Sequence, residues 1–354
     1  NPDPEPPEKV IETAKNLLNE GKPGLHAYMS NAGFPDVCSK VAAHINKETG
    51  LNLQSSNIIM SCGAAGGLNV VLKSLLNPGD EVIVFAPFFF EYTFYIDNHG
   101  GKCVICQTDK ETFEPDPESL RNTITPKTKA IIINSPNNPT GVVYSKECLE
   151  RIADVLKEKE EEYGNDIYVI SDEPYTTLVY DGVEVPSVLK IFKNSIVVNS
   201  FSKSHSLPGE RIGYIAVNPA INDAETLISA IVFCNRTLGY VNAPSMFQKV
   251  VAENLDVAVD ADIYRERRDL LYNHLIKCGF ECRKPQGAFY LFPKSPIPDD
   301  EEFKNIALKY NILIVPGKGF SRPGYFRISY CTSTEIIKNS LPAFEALAKE
   351  LKLI

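Results

Sequence analysis

The sequence lacks any apolar run approaching the ~20 residues that a membrane-spanning helix needs, its longest being short and strand-like, such as 130–133. No membrane partner is expected. It also lacks an excess of positive charge: 36 Lys and Arg stand against 45 Asp and Glu, a formal charge of -9, which repels a nucleic-acid backbone at long range. No nucleic acid is expected as a partner, and any phosphate must sit in a local pocket. Nine cysteines at irregular positions form no tightly spaced even framework, which predicts reduced thiols and a cytoplasmic location. Cys103 and Cys106 make one C-x-x-C pair, but its apolar setting reads as a strand and no second pair lies at zinc-ribbon spacing, so no metal site is expected. Internal repeats, low-complexity tracts, the dinucleotide fingerprint G-x-G-x-x-G and the phosphate loop G-x-x-x-x-G-K-[ST] are all missing. The chain has no charged-then-apolar leader and starts at Asn1-Pro2 rather than at methionine, so the expectation is that sequence preceded Asn1.

What remains suffices for two packed units. The chain has 354 residues, 44% hydrophobic and 23% charged, the make-up of a folded protein with a sizeable core. Short apolar strands at 58–60, 81–85, 102–106, 130–133, 167–170, 195–198 and 213–217 alternate with longer amphipathic segments, among them predicted helices at 66–76 and 146–163. Most of these strands are apolar on both sides, the pattern of a mostly parallel seven-stranded sheet covered by helices, a three-layer α/β unit. Beyond Pro244 the texture changes to a long charged helix at 248–278, mixed strands and a terminal helix at 335–351. That reads as a smaller α+β unit. A helix at 7–20 has no strand to join nearby and is expected to pack on it. The division is thus 22–247 for the large domain, and 1–21 plus 248–354 for the small one.

The informative polar residues stand at strand ends. The first strand runs into Ser61-Cys62-Gly63-Ala64-Ala65-Gly66-Gly67, where small residues at a helix start let backbone N–H groups approach an anion. The strand at 130–133 runs into Asn134-Ser135-Pro136-Asn137-Asn138-Pro139-Thr140-Gly141, an amide-rich turn. The strand at 167–170 runs into Ser171-Asp172-Glu173-Pro174-Tyr175, and a carboxylate at a buried strand end wants a cationic partner. The strand at 195–198 runs into Asn199-Ser200-Phe201-Ser202-Lys203. Taken singly, each has an ordinary reading as a turn, a paired acid or an exposed lysine. Ligands of an open parallel sheet bind outside the carboxyl ends of the strands, so together these residues converge on one crevice. Pyridoxal phosphate needs such a set: a lysine for its aldehyde, an acid for its ring nitrogen and a cup for its phosphate.

Four ordered motifs carry a resemblance over nearly the whole chain: 135–141, 171–175, 200–203 continuing to Leu207-Pro208-Gly209-Glu210-Arg211-Ile212-Gly213, and Phe326-Arg327-Ile328-Ser329-Tyr330. The sequence resembles the class I/II pyridoxal-phosphate aminotransferases of fold type I, the aspartate-aminotransferase-like group. The resemblance implies that Lys203 is the Schiff-base lysine and proton shuttle, that Asp172 pairs with the ring nitrogen, and that Asn138 and Tyr175 hydrogen-bond the ring hydroxyl. It implies that Phe89 stacks on the ring, with Phe88 and Phe90 read as core residues. Ala64 and Ala65 would offer N–H groups to the phosphate, with Ser200, Ser202 and Arg211. Tyr28 matches a tyrosine that reaches the phosphate of the neighbouring subunit, which implies a homodimer with shared active sites. Arg327 matches the arginine that takes the substrate α-carboxylate. Arg236 stands, one residue off in spacing, where dicarboxylate-specific relatives place a side-chain-binding arginine from the other subunit, so aspartate or glutamate is the implied substrate class. His205 reads as packing. The implied reaction moves an amino group from an L-amino acid to a 2-oxo acid. A C–S β-lyase of the same fold and a non-catalytic binding module are the alternatives.

Overall fold

Two-sided burial is what the strand sequences ask for, and the computed structural model, which describes residues 3–354, provides it. Seven strands, β1 (Ile58–Ser61), β2 (Glu81–Ala86), β3 (Lys102–Gln107), β4 (Thr128–Asn134), β5 (Tyr168–Asp172), β6 (Ser195–Ser200) and β7 (Gly213–Val217), form one sheet in the order β1-β7-β6-β5-β4-β2-β3. Only β7 runs against its neighbours. All seven expected strands are present and the three-layer α/β expectation holds. Successive side chains alternate between faces. Val82, Val84, Ile132, Ile170, Ile196, Val198 and Ile215 pack with helices Gly63–Leu75 and Ala224–Thr237 on one face. On the other, Ile83, Phe85, Ile131, Ile133 and Val169 meet helix Lys146–Tyr163, while Ile58, Met60, Val197 and Ala216 meet helices Pro35–Thr49 and Ser245–Ala252. Each such aliphatic side chain contributes about 1.5–3 kcal/mol of transfer free energy.

The alternation also disposes of the C-x-x-C pair. Cys103 and Cys106 are three residues apart on β3 and therefore point to opposite faces. Among the described residues no two cysteines form a disulfide.

A second apolar cluster gathers helices Ala261–Lys277 and Thr334–Glu350 around a three-stranded sheet of β8 (Tyr290–Leu291), β10 (Phe326–Ser329) and β9 (Val315–Pro316). The single charged helix expected at 248–278 is two, Ser245–Ala252 and Ala261–Lys277. The intervening segment leaves the helical path because Asn254 returns its amide to the Val250 carbonyl (2.8 Å), the Val259 N–H is drawn to the Ser204 carbonyl (2.7 Å), and Asp260 starts a new helix by accepting from the Asp262 N–H. The N-terminal helix, Glu8–Glu20, buries Val10 among Val37, Val41, Ile58 and Val250, so it packs on the sheet side rather than on the C-terminal cluster. Its link to the smaller unit is an ion pair, Asp3 with Arg267. Residues 1 and 2 of the expected small-domain segment lie outside the described residues. The boundary expected at 247/248 falls inside helix Ser245–Ala252.

Val10 is 1% exposed whereas Leu18, on the same helix, is 53% exposed. Val10→Ala should cost about 2 kcal/mol of unfolding free energy, and Leu18→Ala less than about 0.5 kcal/mol. Urea denaturation of the two variants checks the docking of this helix.

Candidate active site

The parity that buries each strand also aims its last residue. On β1, β4, β5 and β6 the residues two or more steps before the end, Ile59, Ile132, Ile170 and Val198, lie on the face covered by helix Gly63–Leu75. Ser61, Asn134, Asp172 and Ser200 therefore emerge on that same face. Register brings them level: Asn134 sits opposite Asp172, and Ser200 and Ser61 flank Gly213. Gly67 completes the approach of the helix, since a Cβ there would lie 2.7 Å from Val198.

The result is a cavity of about 370 Å³ lined by Ala64, Ala65, Phe89, Asn138, Asp172, Tyr175, Ser200, Ser202, Lys203, Arg211 and Arg327, all expected from the sequence. Leu68, Tyr92, Tyr95, Asn134, Pro174, Pro208 and Tyr290 join them. Asp172 is buried, and its Oδ2 accepts from the Tyr92 hydroxyl at 2.6 Å while Oδ1 has no hydrogen-bond partner. Burial pushes its carboxyl up to about 6 in spite of that hydrogen bond. Lys203 lies in the one-turn helix Phe201–Ser204, capped by the Ser200 hydroxyl, which accepts from the Ser202 N–H at 3.1 Å. Burial lowers the Lys203 ammonium below its ordinary value, Cys331 opposes that, and Arg211 adds to it. Its Nζ stands 5.4 Å from the centre of the Phe289 ring.

Arg327 leaves β10 with its guanidinium between Tyr290 and Phe320, 4.6 and 4.9 Å from the ring centres. Its Nη1 donates to Asn138 Oδ1 at 2.9 Å, and its Nε is buried without a partner. Asn138 is itself fixed, because its N–H donates to Asn134 Oδ1 (2.7 Å) and Asn134 Nδ2 donates to the Asp172 carbonyl (2.9 Å). The Tyr175 and Tyr290 hydroxyls are 3.1 Å apart. Arg211 adopts a φ of 51° and reaches the start of helix Gly63–Leu75, where a Cβ on Gly63 would lie 2.8 Å from its Nη2.

Two expected residues do not line this cavity. Tyr28 is 88% exposed, and Arg236 is exposed in the last turn of helix Ala224–Thr237. Of the flanking phenylalanines, Phe88 is buried but Phe90 is 43% exposed, so the core reading of Phe90 is corrected: it begins the turn into helix Glu91–Asp97 and points outward. His205 is buried between Ser204 Oγ (2.9 Å) and the Asn254 carbonyl (3.0 Å), a packing residue as read. Tyr92 was given no role from sequence, although it stands three residues after Phe89, one helical turn onward. Nothing local signals Tyr290.

This strand order, with a desolvated lysine and a buried acid lining one cavity and small residues at a helix start beside Arg211, defines a fold-type-I pyridoxal-phosphate transferase. The pattern of the family Aminotransferase class I and II matches residues 1–343, and the chain belongs to that family. It is 35% identical to the aspartate/prephenate aminotransferase of Thermus thermophilus over 97% of this chain and 88% of that protein. Its structure matches an amino transferase from Eubacterium rectale with a TM-score of 0.97 at 41% identity, covering 99% of this chain and 89% of that one. It matches the T. thermophilus aspartate aminotransferase with maleate with a TM-score of 0.88 at 33% identity, covering 98% and 90%. The protein is a pyridoxal-phosphate-dependent aminotransferase acting on amino acids and 2-oxo acids.

The residues present fit that cofactor. Asp172 Oδ1 is an orphaned buried acceptor suited to a ring N–H. Gly63 is a position where a side chain would displace Arg211 from the phosphate cup. Lys203 is held in the desolvated state from which an amine attacks a carbonyl. Among the described residues no group of three or more His, Cys, Asp or Glu could hold a metal ion, and no helix is long and apolar enough to cross a membrane.

Because the folded Asp172 carboxyl titrates near 6 rather than at 3.8, the cofactor-free folded state holds a proton that the unfolded chain has released between those values. Beside a fall towards pH 7 that Glu173 adds, its carboxyl being pushed up to about 7 by burial, the stability of the cofactor-free protein should therefore drop as pH rises from about 4 to about 6, by on the order of 3 kcal/mol on account of Asp172. Asp172→Asn should remove that component of the slope. Denaturation of both proteins at pH 4.5 and 7 checks it.

Proposed function

We propose that this cavity carries out transamination between an L-amino acid and a 2-oxo acid, with aspartate or glutamate as one of the pair. The observation that carries the reading is the convergence of Lys203, Asp172 with its unpartnered Oδ1, and the aromatic-clamped Arg327 on one cavity. Pyridoxal phosphate supplies the carbonyl that exchanges amino groups and a ring that accepts the electron pair released at the substrate Cα.

The chain's residues then divide the work. Lys203, the cavity's lysine, would hold the cofactor through its Nζ and, once free, would move the proton to and from the substrate Cα. Asp172 would stay ionised beside the ring nitrogen, and Tyr92 steadies its other oxygen. Asn138 and Tyr175 would serve the ring hydroxyl, and Phe89 would give the ring an aromatic wall. The N–H groups of Ala64 and Ala65, the hydroxyls of Ser200 and Ser202, and Arg211 would hold the phosphate. Arg327 takes the α-carboxylate on its two-pronged guanidinium, already oriented by Asn138 and two ring faces.

The working unit is a homodimer in this reading. Tyr28 at 88% and Phe233 at 65% exposure are large apolar surfaces left open on one chain. Tyr28 and Arg236, both outside the cavity of their own subunit, would complete the partner's phosphate cup and side-chain pocket. The acidic substrate rests on Arg236 and on the names of the relatives, one of which holds maleate. Nine cysteines at irregular spacing suit a cytoplasmic location.

Adding single amino acids to the yellow holoenzyme should convert its imine absorbance to the amine form, with release of a 2-oxo acid. Ammonia and pyruvate formed without a 2-oxo acid acceptor would instead identify a lyase. Lys203→Ala should lower the rate by at least about 10²–10⁴-fold while leaving the fold intact. Arg327→Lys should act mainly through KM, raising it for every amino acid alike.

A further inference from the structure

The strand-end set leaves one acid unexplained. Glu91 lies between two residues committed to the site: Phe89, which lines the cavity, and Tyr92, which holds Asp172. It is the first residue of helix Glu91–Asp97, so the anchors on either side fix the direction in which it leaves the backbone. Its Oε2 is buried and has no hydrogen-bond partner. The three groups that interact electrostatically with it are Arg327 on β10, Tyr290 on β8 and Tyr95 on its own helix, and all three line the cavity. The groups it acts on include Arg327 and none of the residues assigned to the phosphate.

The charges around the cavity show what this acid does. Among the described residues lining it, the charged ones are Asp172, Lys203, Arg211 and Arg327. Asp172, Lys203 and Arg211 serve the cofactor, which leaves Arg327 as the cation this chain offers to substrate. One carboxylate of an amino acid neutralises Arg327. A second carboxylate then lies in the field of an acid, Glu91, which does not itself line the cavity but acts on it beside Arg327, in partly desolvated surroundings where like charges repel more strongly than in water.

We propose that Glu91 is a specificity-determining residue, which sets how much negative charge the substrate end accepts and so lets one cavity take a neutral amino acid as well as a dicarboxylic one. This deepens the transamination reading above and rests on it. In a two-step exchange both amino acids occupy the same pocket in turn, and an enzyme tuned only for dicarboxylates would discriminate against a neutral partner. Glu91 offsets part of the pull that Arg327 and the partner's cation exert on a second carboxylate. It leaves the α-carboxylate contact, common to both substrates, in place.

The test uses the dimeric holoenzyme and two unreactive probes, succinate and butyrate, titrated while the cofactor absorbance is followed. Glu91→Gln and Glu91→Ser remove the charge, and Glu91→Asp keeps it. In the neutral variants the ratio of butyrate to succinate dissociation constants should rise about five- to tenfold over the native enzyme, and Glu91→Asp should stay within about twofold of native. The retained yellow colour shows which variants are folded and loaded. An unchanged ratio in the loaded neutral variants, or an equal change in Glu91→Asp, overturns the proposal. The ratio is an equilibrium property, so it is judged apart from turnover. Failure of every amino acid to convert the absorbance would count against transamination instead.

Discussion

A carboxylate at the buried end of β5 is the constraint on which the site depends. Asp172 is nearly inaccessible, one of its oxygens is satisfied by Tyr92, and the other has no donor in the protein. A buried acceptor left in that state is costly, and in the proposed reading a ring N–H donating to this oxygen would offset the cost. The surrounding scaffold holds this one atom still. Asn134 ties the β4 loop to the Asp172 backbone, and the register of β4 on β5 sets the two residues side by side. The same sheet face then fixes how far Lys203, one strand over, can stand from it.

Electrostatics in this cavity run on partial satisfaction. Arg327 has a buried Nε without a partner, Asp172 a bare oxygen, and Lys203 an ammonium lowered by burial that stands over the Phe289 ring. Each is half-solvated by protein and completed by ligand. In contrast, Arg268, which is more deeply buried than either Arg327 or Lys203, is fully engaged, with Asp181, Asp269 and the Pro285 carbonyl around it. The contrast separates a structural cation from a binding one better than burial does.

Much of this was readable in sequence because parallel strands buried on both faces are continuous apolar runs, and a polar residue closing such a run has few structural excuses. Ile131–Ile132–Ile133 ending in Asn134, and Val169–Ile170 ending near Asp172, announce both the strand and the site. What could not be read depended on contacts distant in sequence. Tyr92 earns its role only once β2 and β5 lie two strands apart, and Tyr290 only once the smaller sheet closes over Arg327. The break near Asn254 hangs on the Ser204 carbonyl, some fifty positions earlier, and helix Glu8–Glu20 docks where Val10 finds Val37 and Val250. Periodicity shows that a helix has an apolar face but not which surface will cover it.

The disposition of Tyr28 and Arg236 carries the argument one level up. In a single chain both are exposed, far from the stringency that holds Asn138 or Asp172, yet one is a large aromatic and the other closes a helix whose Phe233 also faces outward. Solvent-facing apolar groups beside unpaired polar ones are a poor design for a monomer and a sound one for an interface whose partner needs a hydroxyl and a cation. Such a division has a chemical consequence. In the proposed dimer a phosphate cup and a side-chain pocket finished by a second copy would not be complete before assembly, so cofactor affinity and substrate selection would both become properties of the dimer. The acid proposed at position 91 would then act against a cation supplied from outside the chain, and selectivity would be set across the interface rather than within either subunit.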